Sequence, residues 1–210
     1  MGCILNENSL ITHMEDDSAA RLEKEQEYLD YINEHIGNVR KAYNMYIVPL
    51  LNMNNISPLV SDEELKTAIR NLEPLLDTHD ASKFSDAEFD GYRCKWHPTK
   101  AEEAKMKEDD EFAKLIRARY DVCWEHHYTV NQHHPLHWVD PETKISKDMS
   151  LDAIVEMLCD WESMSLKFGT STVEWYENKA SDEKAALSPK TKEITEELLY
   201  NVLHKSISRE

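Results

Sequence analysis

Residues 151–164 read LDAIVEMLCDWESM. Within them Ile154, Met157, Leu158, Trp161 and Met164 recur at three- and four-residue spacings, which line one face of an α-helix. A strand would need strict alternation, and no convincing period-two run occurs here or elsewhere in the chain. Working outward, the same helical period runs from about Ser18 to Leu51 through Leu22, Leu29, Ile32, Ile36, Val39 and Tyr43, until Pro49 ends or kinks it. Ser61 with Glu64 makes a capping-box signature for a helix through Leu65, Ile69, Leu72 and Leu76, with Pro74 late in it. Ser85 with Glu88 offers a second such box. A long charged helix is expected from about Ala101 to Tyr128, with Phe112, Leu115, Ile116, Tyr120 and Trp124 along it. Residues 131–149, with Pro135 and Pro141, read as loop; Ser150 is expected to cap the helix that opened this reading. Ser188-Pro189 then starts a last helix, with serine as cap and proline in the first turn.

The fold class is therefore all-α, with one helical domain over residues 16–210 behind a weakly ordered stretch, residues 1–15. The 210 residues suit a single domain with a substantial core, and only four glycines and seven prolines interrupt them. Asp and Glu number 41 against 24 Lys and Arg, a formal net charge of −17. Such a surface repels phosphate backbones and anionic membranes, which argues against general nucleic-acid binding and against a membrane partner. A small phosphorylated ligand remains compatible, because a bound cation and local lysines can reverse the potential inside one pocket. Cys3, Cys94, Cys123 and Cys159 are scattered, form no CxxC pair, and read as reduced thiols. No apolar run approaches membrane-spanning length, and the opening Met1-Gly2-Cys3 lacks a Ser or Thr at Asn6 for acylation. A cytoplasmic protein is expected, with self-association left open.

Candidate chemistry begins at residues 79–84, HDASKF. Imidazole beside carboxylate suits Mn, Fe, Co, Ni or Zn, although a helix end with a capping Asp80 and a solvated His79 would look the same. Adjacent helical residues diverge by about 100°, so His79 and Asp80 can share an ion only at a helix edge. His35 falls on the core side of the first helix, between Ile32 and Val39, where a histidine is more often a packed residue than a ligand. Asp160 lies beside the apolar stripe of residues 151–164, and a carboxylate there calls for a cation or strong donors. Glu156, one turn earlier on the same face, could orient a ligand or a water, or simply be solvated. Five histidines, His126, His127, His133, His134 and His137, crowd into twelve residues. Such a tract is a compositional sign of metal binding; its members could ligate a second metal, act as general acid or hold a phosphate, or merely decorate a polar loop over Trp138.

In order, His35, His79-Asp80 and Asp160 on separate helices of an all-α chain resemble the HD-domain superfamily of metal-dependent phosphohydrolases. Lys83 adds to the likeness, since many members carry a lysine three residues after the HD aspartate. More narrowly, HDASKF, Asn131-Gln132-His133-His134, EMLCDW at 156–161 and EWY at 174–176 look like an uncharacterised bacterial and phage family of unknown function, across about residues 20–205. The superfamily resemblance implies an HD-type helical bundle in which His35, His79, Asp80 and Asp160 hold a divalent transition metal, with Lys83 near a phosphate. Two-metal members add two further histidines before the last aspartate. His127 and one of His133 or His134 fall in that interval, with His134 assigned here to metal; the chain lacks the other signatures of two-metal phosphodiesterases, so one or two ions are expected.

The activity implied is hydrolysis of a nucleotide or other small phosphate ester. Metal would bring a bound water toward neutrality in pKa. Asp80 would double as ligand and water-orienting base, Lys83 and His133 would offset phosphate charge, and Glu156 would support the site. Two alternatives share the residues: a di-iron, oxygen-dependent enzyme of the same fold, and an acidic helical protein that only binds a metal or small ligand.

Overall fold

The computed structural model describes residues 7–203, and side chains within 18–201. Cys3 and the acylation question at residues 1–6 lie outside the described residues, as does the first part of the stretch 1–15; residues from Glu7 onward belong to the first helix. The described residues form nine α-helices with short 3-10 and π segments, and their only β-type pairing is an isolated bridge between Val139 and Ser146. The protein is all-α. The helices gather into two compact units: the chain to Asn33 with Ser82–His127, and Glu34–Ala81 with residues 128 onward. The boundary thus falls within HDASKF, between Ala81 and Ser82.

Helix α1 (Glu7–Ala42) contributes to both units, and its buried side chains are Tyr28, Ile32, His35, Val39 and Ala42. Ile32, Val39 and Tyr43 of the expected stripe are buried, with His35 on the core side as expected, but Leu22 is 63% exposed and Tyr28 is inside. In the second unit, α1 passes into a π segment at Tyr43–Ile47 and a 3-10 turn at Val48–Asn52 that accommodates Pro49. Helix α2 (Asp62–Leu72) starts at the expected capping box: Glu64 N–H donates to Ser61 Oγ, and Ser61 N–H to the Glu64 carboxylate. Its buried Leu65, Ala68, Ile69 and Leu72 face the core, and α6 (Leu151–Phe168) packs against it. Helix α6 buries nine of its eighteen residues, including Met157 and Leu158, and ends at Gly169, whose φ of +68° is the left-handed C-terminal stop that glycine makes without strain. Ser150 occupies the N-cap position of α6, but its side chain makes no capping bond. Helices α7 (Thr172–Asn178), α8 (Ser181–Ala186) and α9 (Pro189–Leu198) complete the unit, the last opened by Ser188 Oγ, which accepts from Thr191 N–H.

In the first unit, α3 (Phe89–Trp96), α4 (Lys100–Glu108) and α5 (Asp110–Val130, to His127 in this unit) join the first part of α1. The expected helix 101–128 is two helices. Asp109 leaves helical geometry, and its carboxylate accepts from the N–H groups of Glu111 and Phe112, a cap stronger than continuation. The second expected capping box does not form. Ser85 Oγ donates to the Ser82 carbonyl, and Glu88 turns inward, fully buried. Arg93, also fully buried, is held by a two-pronged ion pair with Glu102 and by Asp90.

Candidate metal centre

His35, His79, Asp80 and Asp160, all in the second unit, come from three places: α1, the end of the 3-10 turn Glu73–Thr78, and α6. Pro74 sits in the first positions of that 3-10 turn, and helical geometry stops after Thr78. His79 is extended (φ −52°, ψ 130°) and Asp80 is left-handed, with φ +56°. This resolves how neighbours share one point in space. The helix that would splay them by about 100° is already over. Aspartate is among the few non-glycine residues that tolerate this conformation, at a cost of about 1–2 kcal/mol. Strained backbone of this kind gathers at functional sites.

His35 Nε2 lies 3.1 Å from Asp160 Oδ1 and 3.4 Å from Asp80 Oδ2. His79 Nε2 lies 3.3 Å from His35 Nε2, 3.7 Å from Asp80 Oδ2 and 3.8 Å from Asp160 Oδ1. A metal held about 2.1 Å from each ligand separates neighbouring ligand atoms by about 3.0 Å in octahedral and 3.4 Å in tetrahedral geometry. Three of the five spacings, 3.1, 3.3 and 3.4 Å, fall in that range, and the two from His79 Nε2 to the carboxylates, 3.7 and 3.8 Å, are wider.

The far sides of both rings are engaged. Ser163 Oγ donates its single proton to the Asp160 carbonyl at 2.6 Å, so at 3.2 Å from His35 Nδ1 it accepts the ring N–H. His79 Nδ1 donates to Glu156 Oε1 at 2.8 Å. Each imidazole, when neutral, therefore turns its Nε2 lone pair inward, toward the other lone pair and two carboxylates. Such a set of electron-pair donors is satisfied by protons or by a metal cation. The protons have a measurable consequence in the metal-free protein. Burial alone would lower both histidine pKa values, but bonds to Asp160 and Asp80 raise His35 to about 9, and the charges of Asp80, Asp160 and Glu156 raise His79 to about 9. Burial pushes the Glu156 carboxyl up, yet His133 and His79 bring it down to about 2. Asp160 is likewise held well below the carboxylate range, burial being outweighed by His35 and His79.

His133, buried in the turn after α5, stacks obliquely on His79 with ring centres 4.3 Å apart. Its Nε2 is 3.4 Å from Asp80 Oδ1 and its Nδ1 3.5 Å from Glu156 Oε1. Burial and the nearby His79 oppose its charge, but Asp80 and Glu156 outweigh them and its pKa rises. The His134 ring is 4.2 Å from that of His133, and the two histidines with Asp80 offer ligand atoms within 4.8 Å of one another. The turn is pinned by Trp138 Nε1–H, which donates to the Gln132 carbonyl, and by a 2.8 Å bond between His137 Nδ1 and the Thr129 carbonyl.

Two of the expected site residues lie in the first unit. His127 is buried, with Nδ1 2.9 Å from Glu88 Oε2 and 3.2 Å from Ser82 Oγ; His126 Nδ1 takes the other Glu88 oxygen at 2.7 Å. Burial would raise the Glu88 pKa, but these histidines and Ser82 lower it. Lys83 lies over the Tyr92 ring, 5.7 Å from its centre. Sequence reading missed Ser163 and Glu88 as partners of the histidines. Ser163 was findable, because Glu156, Asp160 and Ser163 follow one stripe of α6 at i, i+4 and i+7. Glu88 was masked by a capping signature that the backbone does not use.

Among the described residues no helix is long and apolar enough to cross a membrane. No curated protein and no solved structure matches the chain. Residues 24–201 match the model of DUF5662, a family of unknown function, and the chain belongs to that family.

Proposed function

Starting from that membership, we propose that the protein is a cytoplasmic metal-dependent phosphohydrolase with an HD-type helical domain, acting on a nucleotide or other small phosphate ester. One observation carries the reading: His35, His79 and Asp80 bring ligand atoms within 4.8 Å of one another, Asp160 Oδ1 lies 3.1 Å from His35 Nε2 and 3.8 Å from His79 Nε2, and both rings are oriented from behind. These four residues would hold a divalent transition metal, of which Mn, Fe, Co, Ni and Zn all suit imidazole with carboxylate. When bound, such an ion supplies a water acidic enough to attack phosphorus near neutral pH. A second ion would draw on the other Asp80 oxygen with His133 or His134.

The chain's own residues have separate tasks. Glu156 and Ser163 fix the tautomers of His79 and His35. Asp80 would both ligate the metal and orient the attacking water. His133, whose pKa is raised by Asp80 and Glu156 against burial and His79, would protonate the leaving oxygen. Purified protein loaded with manganese should release phosphate from a panel of phosphate esters, and Asp80→Ala should lose metal and turnover together. Turnover that survives loss of the metal would overturn the proposal, while iron with oxygen-dependent turnover would favour the oxygenase alternative.

A further inference from the structure

A cavity of about 260 Å³ opens beside the candidate ligands His79 and Asp80, walled by Thr78, Asn131, Gln132 and Asp152. Its size falls just below the range usual for drug-sized ligands. No lysine or arginine lines it, and its charged walls are Asp80, Asp152 and Glu156, with His79 and His133 beside them. Asp152, Glu156 and Asp160 repeat every four residues on α6, about 6 Å apart along the axis. Asp152 therefore sits two turns from the ligand Asp160. It is half-buried and makes no hydrogen bond or ion pair among the described residues. A place in the first turn of α6 suits a carboxylate on dipole grounds alone. What that leaves unexplained is a carboxylate on a polar cavity that two of the candidate ligands, His79 and Asp80, also line.

We infer that this cavity receives the alcohol portion of the substrate, and that this portion is small, polar and neutral or cationic, with an amine favoured by Asp152. The inference rests on the phosphohydrolase reading and narrows it to monophosphate esters of small amino-alcohols or polyols, away from nucleoside polyphosphates. A single phosphoryl group can be neutralised at a metal. Further phosphates need Arg or Lys partners, and the cavity offers carboxylates instead. The Gln132 side-chain amide can bond neutral hydroxyls, and so can the Thr78 hydroxyl as an acceptor, its proton being donated to the Leu75 carbonyl.

The test uses the manganese-loaded full chain with 2-aminoethyl phosphate, glycerol phosphate and adenosine triphosphate. The expected order of kcat/KM is aminoethyl phosphate, then glycerol phosphate, with the triphosphate at least about tenfold lower. Asp152→Asn should lower the aminoethyl phosphate value about fivefold, as befits one partly exposed ion pair, leave glycerol phosphate within about twofold, and be rescued by Asp152→Glu. A second readout needs no turnover: binding of 2-aminoethanol to the metal-free protein, followed by NMR, should weaken in Asp152→Asn. Preference for the triphosphate, or an amine dependence that Asp152→Asn leaves unchanged, would overturn the inference and leave the phosphohydrolase reading standing. Metal binding without phosphate release from any ester would instead overturn that parent reading and this substrate assignment with it.

Discussion

The two inward-facing histidines make metal binding depend on pH far above the usual imidazole range. In the metal-free protein His35 and His79 both titrate near 9, so each holds a proton at pH 7. A metal can bind only by displacing both. Between pH 7 and about 8.5 the association constant should therefore rise about a hundredfold per pH unit, or about 2.7 kcal/mol. Imidazoles of ordinary basicity, near 6.5, would give a plateau by about pH 7. Folding stability follows with the opposite sign. A histidine whose pKa rises on folding adds stability that is complete below about 6.5 and disappears as pH climbs through about 9. Each shift corresponds to about 3 kcal/mol, and because the pair shares Asp80 and Asp160 the two are worth less than twice that. The metal-free protein should thus melt higher at pH 6.5 than at pH 9.5, while the metal-loaded protein should show the reverse. Calorimetric titration with zinc at pH 7.5, in two buffers of different ionisation enthalpy, counts the protons released. About two are expected. Release near zero, with an affinity flat above pH 7, would refute the reasoning.

Other outcomes follow from single contacts. Ser163→Ala removes the acceptor behind His35 and should weaken metal binding about ten- to a hundredfold; an unchanged dissociation constant in a chelator competition would assign Ser163 to packing alone. Asp80→Gly relieves the left-handed backbone where Asp80→Ala does not, so the metal-free glycine variant should melt about 2–4 °C above the alanine variant, with both unable to hold metal. Equal melting temperatures would mean that position 80 relaxes out of its left-handed conformation. In the first unit, a methyl at Gly91 on α3 would run into Cys123 Sγ on α5. Gly91→Ala should cost about 1–3 kcal/mol in denaturant unfolding and recover in the double variant with Cys123→Ala; lack of recovery would point to the Arg119 carbonyl instead.

Much of the helical framework was legible because its signals are local. The stripe of α6, the Ser61–Glu64 box and the Ser188-Pro189 start are each written within a few residues, and the structure uses all three. The same local grammar misled where tertiary demands were stronger. Ser85 and Glu88 have the spacing of a capping box, yet Glu88 is drawn inward by two histidines some forty positions away. Asp109 was invisible as a break because a charged residue in a charged run looks like helix surface. His35, His79, Asp80 and Asp160 could be named as candidates, since imidazoles and acids on apolar faces need an explanation. Their convergence could not, because it depends on the left-handed turn at Asp80, and no pattern of neighbouring residues specifies that turn.

Equilibrium dialysis of the full chain against manganese or zinc at pH 8, with metal analysis of the retained protein, decides whether His35, His79, Asp80 and Asp160 form one metal site. At least one tightly held ion per chain is expected, lost in Asp160→Asn and in His35→Ala while helical circular dichroism is retained. A chain that holds no divalent transition metal, or variants that hold it as tightly as the parent, would contradict it.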